Sequence, residues 1–145
     1  MSGDAVGEPK SELASPSRIP IASATDIVVA RQRGRELAAK LGFSGSDQTV
    51  VATAISELAR NILEYARTGR IEVGVGQRGS RLGIVVVAMD SGPGIADISR
   101  AMQDGYSTGK GLGLGLPGVR RLMDEFTIVS EPGQGTSVTV RKWLS

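Results

Sequence analysis

Apolar residues recur at helical spacing in two early stretches of the chain. Ile27, Ala30, Gly34, Leu37 and Leu41 lie three or four apart, which predicts a helix from a cap at Thr25 or Asp26 to about Leu41, ended by Gly42. Val51, Ile55, Leu58, Ile62 and Tyr65 repeat the pattern. A second helix is expected from Ser46 or Asp47 to about Ala66, with these five side chains in one narrow sector facing the core. After Gly69 the period falls to two. Ile71, Val73 and Val75 alternate within residues 70–77, and residues 82–90 form a β-branched, apolar run that reads as a buried central strand. The turn between them, residues 78–81, predicts a hairpin.

The remaining elements are shorter. A loop at residues 91–94 precedes a short helix near 95–103 and a glycine-rich loop at 105–115. A third substantial helix is expected over 116–125, with Pro117 tolerable in its first turn. Residues 126–130 and 137–143, joined by a turn at 133–135, make a closing hairpin. Residues 18–22 read as a short strand that Pro20 places at a sheet edge. Residues 1–17 lack periodicity and read as a disordered tail, leaving one domain over 18–145. Strand pairs joined by short turns, interleaved with helices, predict an α/β two-layer sandwich: a mixed, mostly antiparallel sheet with helices on one face.

Composition narrows the chemistry. The chain of 145 residues is 40% hydrophobic but only 3% aromatic, so its core must be built from Val, Ile, Leu and Ala. It has no cysteine and no histidine. That excludes disulfides, thiol catalysis, His general bases, zinc sites of the usual kind and a phospho-accepting histidine. Net charge is +2, without a concentrated basic block or stacking aromatics, so nucleic-acid binding is not expected. No apolar run is long enough to span a bilayer, and the N-terminus lacks the order of a signal peptide. A soluble cytoplasmic protein, not membrane-bound, is the expectation.

Four constellations carry candidate chemistry. Glu57 and Asn61, four residues apart, share a face of the second helix beside its apolar stripe. The Asn61 amide oxygen can ligate a Mg²⁺ that carries nucleotide phosphates, and Glu57 can accept a proton from an attacking hydroxyl. The pair also reads as a solvated pair on a helix flank. Asp90, in phase with Ile84, Val86 and Ala88, ends the central strand and enters Asp90-Ser91-Gly92-Pro93-Gly94. A carboxylate there is costly unless paired, and the adenine 6-amino group would pair it, whereas guanine offers an acceptor. Gly92 and Gly94 would let the backbone approach the base. An ordinary Asp-Gly turn is the plainer reading.

The third constellation is Gly109-Lys110-Gly111-Leu112-Gly113-Leu114-Gly115. Alternate glycines free backbone amides to turn toward phosphates, Lys110 can neutralise one, and the following helix offers its positive end. A lid that orders over nucleotide is expected. Residues 105–110 lack Walker A spacing, and the literal G-x-G-x-x-G at 113–118 follows a loop rather than a strand. The fourth is Gly133-Gln134-Gly135-Thr136, where Thr136 can bond the base or a water upon it, or simply follow a hairpin turn.

Together and in this order, the four motifs resemble the Bergerat-fold GHKL ATPase superfamily. Within it, residues 25–35, Ile55–Ile62 (ISELARNI), Asp90–Ile95 (DSGPGI), residues 111–126 and the closing Lys142-Trp143 resemble the RsbT-like serine/threonine kinases, over roughly Arg18 to Ser145. The resemblance implies a small cytoplasmic kinase of bacterial partner-switching and stressosome stress signalling. It would use ATP and Mg²⁺ to phosphorylate STAS-domain proteins of the RsbS and RsbR kind. When released, it would bind and activate a PP2C-type phosphatase of the RsbU kind. By the same resemblance Glu57 is the base, Asn61 binds Mg²⁺ and Asp90 the adenine. Two alternatives stand beside this: an anti-sigma-factor kinase that binds a sigma factor directly, and a switch module whose main role is phosphatase activation.

Overall fold

The computed structural model describes residues 14–95, 102 and 115–145. Their elements follow in the order β1 (Ala14–Ile21), α1 (Ala24–Leu41), α2 (Gly45–Tyr65), β2 (Gly69–Arg78), β3 (Arg81–Asp90), α3 (Gly115–Leu122), β4 (Glu125–Glu131) and β5 (Gly135–Trp143). The strands form one sheet, β1-β2-β3-β5-β4. The sheet, expected to be mostly antiparallel, is antiparallel at all four of these pairings.

Both long helices start where a hydroxyl, rather than the residue the pattern suggested, stands at the cap. Ser23 precedes α1, and Asp26 reaches back to accept the N–H groups of Ala22 and Ser23 at 2.8 and 3.1 Å. Asp26 is therefore the third helical residue, where a carboxylate closes a capping box. Ser44 precedes α2 and its Oγ accepts the Asp47 N–H at 3.1 Å. β1 takes in residues 14–17, which the sequence pattern assigned to the tail; Ser17 and Arg18 pair with Val73 and Glu72. The strand has one neighbour, so Pro20 does lie on an edge. α3 stops at Leu122, three residues short of expectation, because Glu125 already pairs with Arg141 of β5. The short helix expected near 95–103 lies outside the described residues except for Ile95 and Met102, both partly buried against the core.

Burial explains the layers. Ile71, Val73, Ile84, Val86, Ala88, Val138 and Val140 point from one sheet face into a cluster with Ile27, Ala30 and Ala38 of α1 and Val51, Ile55, Leu58 and Ile62 of α2. The largest fully buried side chains are all Ile, Leu or Val, as the low aromatic content required. Each such side chain contributes roughly 1.5–3 kcal/mol relative to exposure. The end of β5 divides its two residues between the faces. Lys142, opposite Ile84, reaches the first turn of α2 and meets Asp47 at 3.9 Å, while Trp143, opposite Gly83, lies on the other face.

Candidate functional site

A pocket of about 50 Å³, partly open to solvent, lies between the last turns of α2 and the end of β3. Leu58, Ile62, Ala88, Val138 and Leu116 supply apolar walls; Asn61, Asp90 and Thr136 supply polar groups. An apolar slot with few polar groups at fixed places suits a flat heterocycle. Asp90 and Thr136 are direct partners across β3 and β5, so sheet register alone brings them side by side.

The Asp90 carboxylate has two occupations. Its Oδ1 accepts the Gly92 N–H at 2.9 Å, closing the turn that leaves the strand. Its Oδ2 has no hydrogen-bond partner among the described residues, and remains as an acceptor at the pocket. The plain Asp-Gly turn and the ligand contact are thus compatible, one oxygen for each.

The loop glycines serve packing. A β-carbon on Gly92 would stand 2.5 Å from the Ala66 β-carbon, at the end of α2, and Gly92 does not line the pocket. Gly94 does line it, at φ +79°, and a β-carbon there would strike the Glu131 carbonyl. The Gly133 N–H also donates to the Pro93 carbonyl at 2.6 Å. The loop is therefore held between the end of α2 and the β4–β5 turn. Gly135, at φ +107°, presses on the Asp90 carbonyl in the same way.

Ser130 ties these pieces together, and sequence reasoning passed over it. Its Oγ accepts the Ile95 N–H at 2.7 Å, donates to the Gly135 carbonyl at 3.1 Å and lies 2.8 Å from Thr136 Oγ1. Because the single Ser130 proton goes to Gly135, the Thr136 hydroxyl is the donor in the third contact. Thr136 then turns lone pairs, not a proton, toward the pocket. The one available signal was Ser130 standing in phase with Phe126 and Ile128 as the polar member of an inward-facing set. Ser130→Ala is expected to weaken binding of the expected nucleotide about fivefold, the loss of roughly 1 kcal/mol per neutral hydrogen bond. Titration calorimetry checks this; unchanged affinity would mean that strand pairing alone orients Thr136.

Two other placements differ from expectation. Tyr65, taken as part of the apolar core stripe, is 49% exposed and stands on the pocket rim. Glu57 does not line the pocket; it lies one turn earlier on α2, 5% exposed and partnered. Gly115 is buried and opens α3. Gly109, Lys110, Gly111 and Gly113 lie outside the described residues.

Comparison with known proteins bears on what the pocket holds. Residues 46–145 match the family model described as histidine kinase-, DNA gyrase B-, and HSP90-like ATPase. The chain is 53% identical over 129 residues to the serine/threonine-protein kinase RsbT of Bacillus subtilis (strain 168), covering 88% of this chain and 96% of that protein. The chain belongs to the RsbT-like serine/threonine kinases of the GHKL ATPase family. As a kinase of this ATPase family it uses ATP. The kinase is also 32% identical over 100 residues to the anti-sigma F factor of Thermoanaerobacter sp. (strain X514), with 65% of this chain and 68% of that protein covered. Among solved structures, the RsbU and RsbW domains of Rv1364c from Mycobacterium tuberculosis superpose with a TM-score of 0.63 at 20% identity. The kinase covers 34% of that chain, and 91% of its own length is matched. That likeness concerns the fold. No described helix of the kinase is long and apolar enough to cross a membrane.

Proposed function

We propose that this kinase transfers the γ-phosphoryl group of ATP to a serine or threonine hydroxyl of a STAS-domain partner of the RsbS or RsbR kind. Once released, it binds and activates a PP2C-type phosphatase of the RsbU kind. The observation that supports the reading is the grouping of Asn61 from α2, Asp90 from β3 and Thr136 from β5 on one pocket lining, with buried Glu57 one turn before Asn61 on α2. In transfer, the bond from the γ-phosphorus to its bridging oxygen breaks and a bond to the partner hydroxyl forms. Glu57 takes the hydroxyl proton, and ADP leaves with the bridging oxygen.

Asn61 suits Mg²⁺, an ion that keeps several waters and takes few protein ligands. The ion supplies neutralisation of phosphate charge when bound. Arg60, next to Asn61, has a buried Nε without a hydrogen-bond partner among the described residues; an anionic group arriving there would satisfy it. Gly109, Lys110, Gly111, Gly113 and Gly115 form the lid over the phosphates in this reading.

The test is to incubate the kinase with labelled ATP and Mg²⁺ beside STAS proteins and a sigma factor of the same organism. Label on a STAS serine or threonine is the expected result. Tight sigma-factor capture without any STAS labelling would instead favour the anti-sigma reading, which the 32% relatives support less than the 53% relative supports this one.

A further inference from the structure

The described helices all pack on one face of the sheet, the face that ends in the ATP pocket. On the opposite face, at the far end of β3 from Asp90, stands the chain's one tryptophan. Trp143 lies over Gly83, with its Cε3 2.6 Å from where a β-carbon would be, and its Nε1 donates to Glu125 Oε2 at 2.8 Å. Two guanidinium groups from the β2–β3 hairpin lie over the indole ring: Arg78 at 5.1 Å and Arg81 at 5.8 Å from its centroid. Arg78 also pairs with Glu125, and Arg141 stands 3.6 Å from the same carboxylate. Two arginines therefore share one glutamate. Arg81 has no carboxylate among the described residues; it is exposed, and the Trp143 ring is its contact.

A lone surface arginine spends its freedom when it binds. Stacked on an indole it is already held in place, and its planar fork of N–H donors suits a carboxylate. Arginines with tryptophan are also the side chains that most often carry binding energy at protein interfaces. Asp124 also belongs to the cluster, accepting the Trp143 N–H at 2.8 Å, so three arginines stand beside two carboxylates, and the uncompensated charge of exposed Arg81 favours an acidic surface. Distance says which partner this is not. Arg81 and Asp90 are the two ends of a ten-residue strand, about 30 Å apart at 3.3 Å per residue. A segment held at Arg81 is not the one whose hydroxyl reaches the phosphates.

We propose that the Arg78–Trp143–Arg81 stack docks an acidic surface of the phosphatase partner, on a face separate from the one that phosphorylates the STAS protein. This rests on the functional reading above. Arg81 provides the test because it lies outside the ATP site and its removal breaks no ion pair. With the RsbU-like phosphatase of the same organism as probe, Arg81→Glu should weaken binding at least tenfold and reduce phosphatase stimulation accordingly. Arg81→Ala should have a smaller effect in the same direction. Binding by the unaltered kinase should weaken with added salt more steeply than binding by Arg81→Ala. ATP affinity and STAS phosphorylation should be unchanged in both variants. A phosphatase bound and stimulated equally by Arg81→Glu overturns the surface alone. So does a parallel loss of STAS phosphorylation with ATP affinity intact. If the unaltered kinase neither binds nor stimulates the phosphatase, the functional reading and the surface both fall.

Discussion

Glu57→Gln is expected to lower phosphotransfer to the STAS partner by about 10²–10⁴-fold, the range for a general base, while ATP affinity is retained. The reason lies in where the structure puts the carboxylate. Glu57 is outside the pocket lining but one turn from Asn61 on the same helix, so it can act on the phosphoryl acceptor without touching the base. Its burial makes the choice of substitution matter. Glu57→Ala would also leave a void and strand the groups that now interact with it, whereas Gln keeps the volume and loses the basic oxygen. Single-turnover kinetics with labelled ATP, beside calorimetric ATP binding, separates the two effects: the rate of transfer should fall and the dissociation constant should not. Transfer at the unaltered rate by Glu57→Gln would remove Glu57 from the reaction.

Asp90→Asn should weaken ATP binding by about 10- to 150-fold, corresponding to the roughly 1.5–3 kcal/mol of a hydrogen bond to a charged group. Asparagine can still accept the Gly92 N–H through one oxygen, so the turn survives. The other position becomes an NH₂ and faces the adenine 6-amino group donor to donor. The same reversal should improve GTP relative to ATP, since guanine offers a carbonyl at that place. Calorimetry with both nucleotides measures the two affinities; equal ATP binding by Asp90→Asn and the unaltered kinase would rule out the base contact.

The sequence by itself carried most of the helices and strands, because each has a strong period and a composition suited to it. The two long helices, the β2–β3 hairpin and the closing hairpin stand where apolar spacing put them. The ends moved by one to four residues, since caps and strand pairing, not periodicity, set them. Ser44 caps because its hydroxyl accepts the Asp47 N–H, Ser23 because Asp26 reaches back to its N–H and hydroxyl, and Glu125 left the third helix because Arg141 pairs with it in the sheet. Asn61, Asp90 and Thr136 were legible as candidates, and they line one pocket. What no spacing could supply was the register that sets Asp90 opposite Thr136.

Tertiary structure decided the rest. Tyr65 fits the apolar stripe by its angle on the helix, yet it comes at the last turn, beyond the sheet's cover, and so stands on the rim. Ser130 reads as an ordinary strand residue until β4, β5 and the loop after β3 converge on its hydroxyl. Gly92 and Gly94 look like room for a ligand, but their missing side chains make way for Ala66 and Glu131. The chain alone picked out which groups are candidates to bind a nucleotide, because that is chemistry written in residue types and short spacings. Which face each group occupies, and that Trp143 and its two arginines sit some 30 Å from the pocket, depended on how distant strands pair.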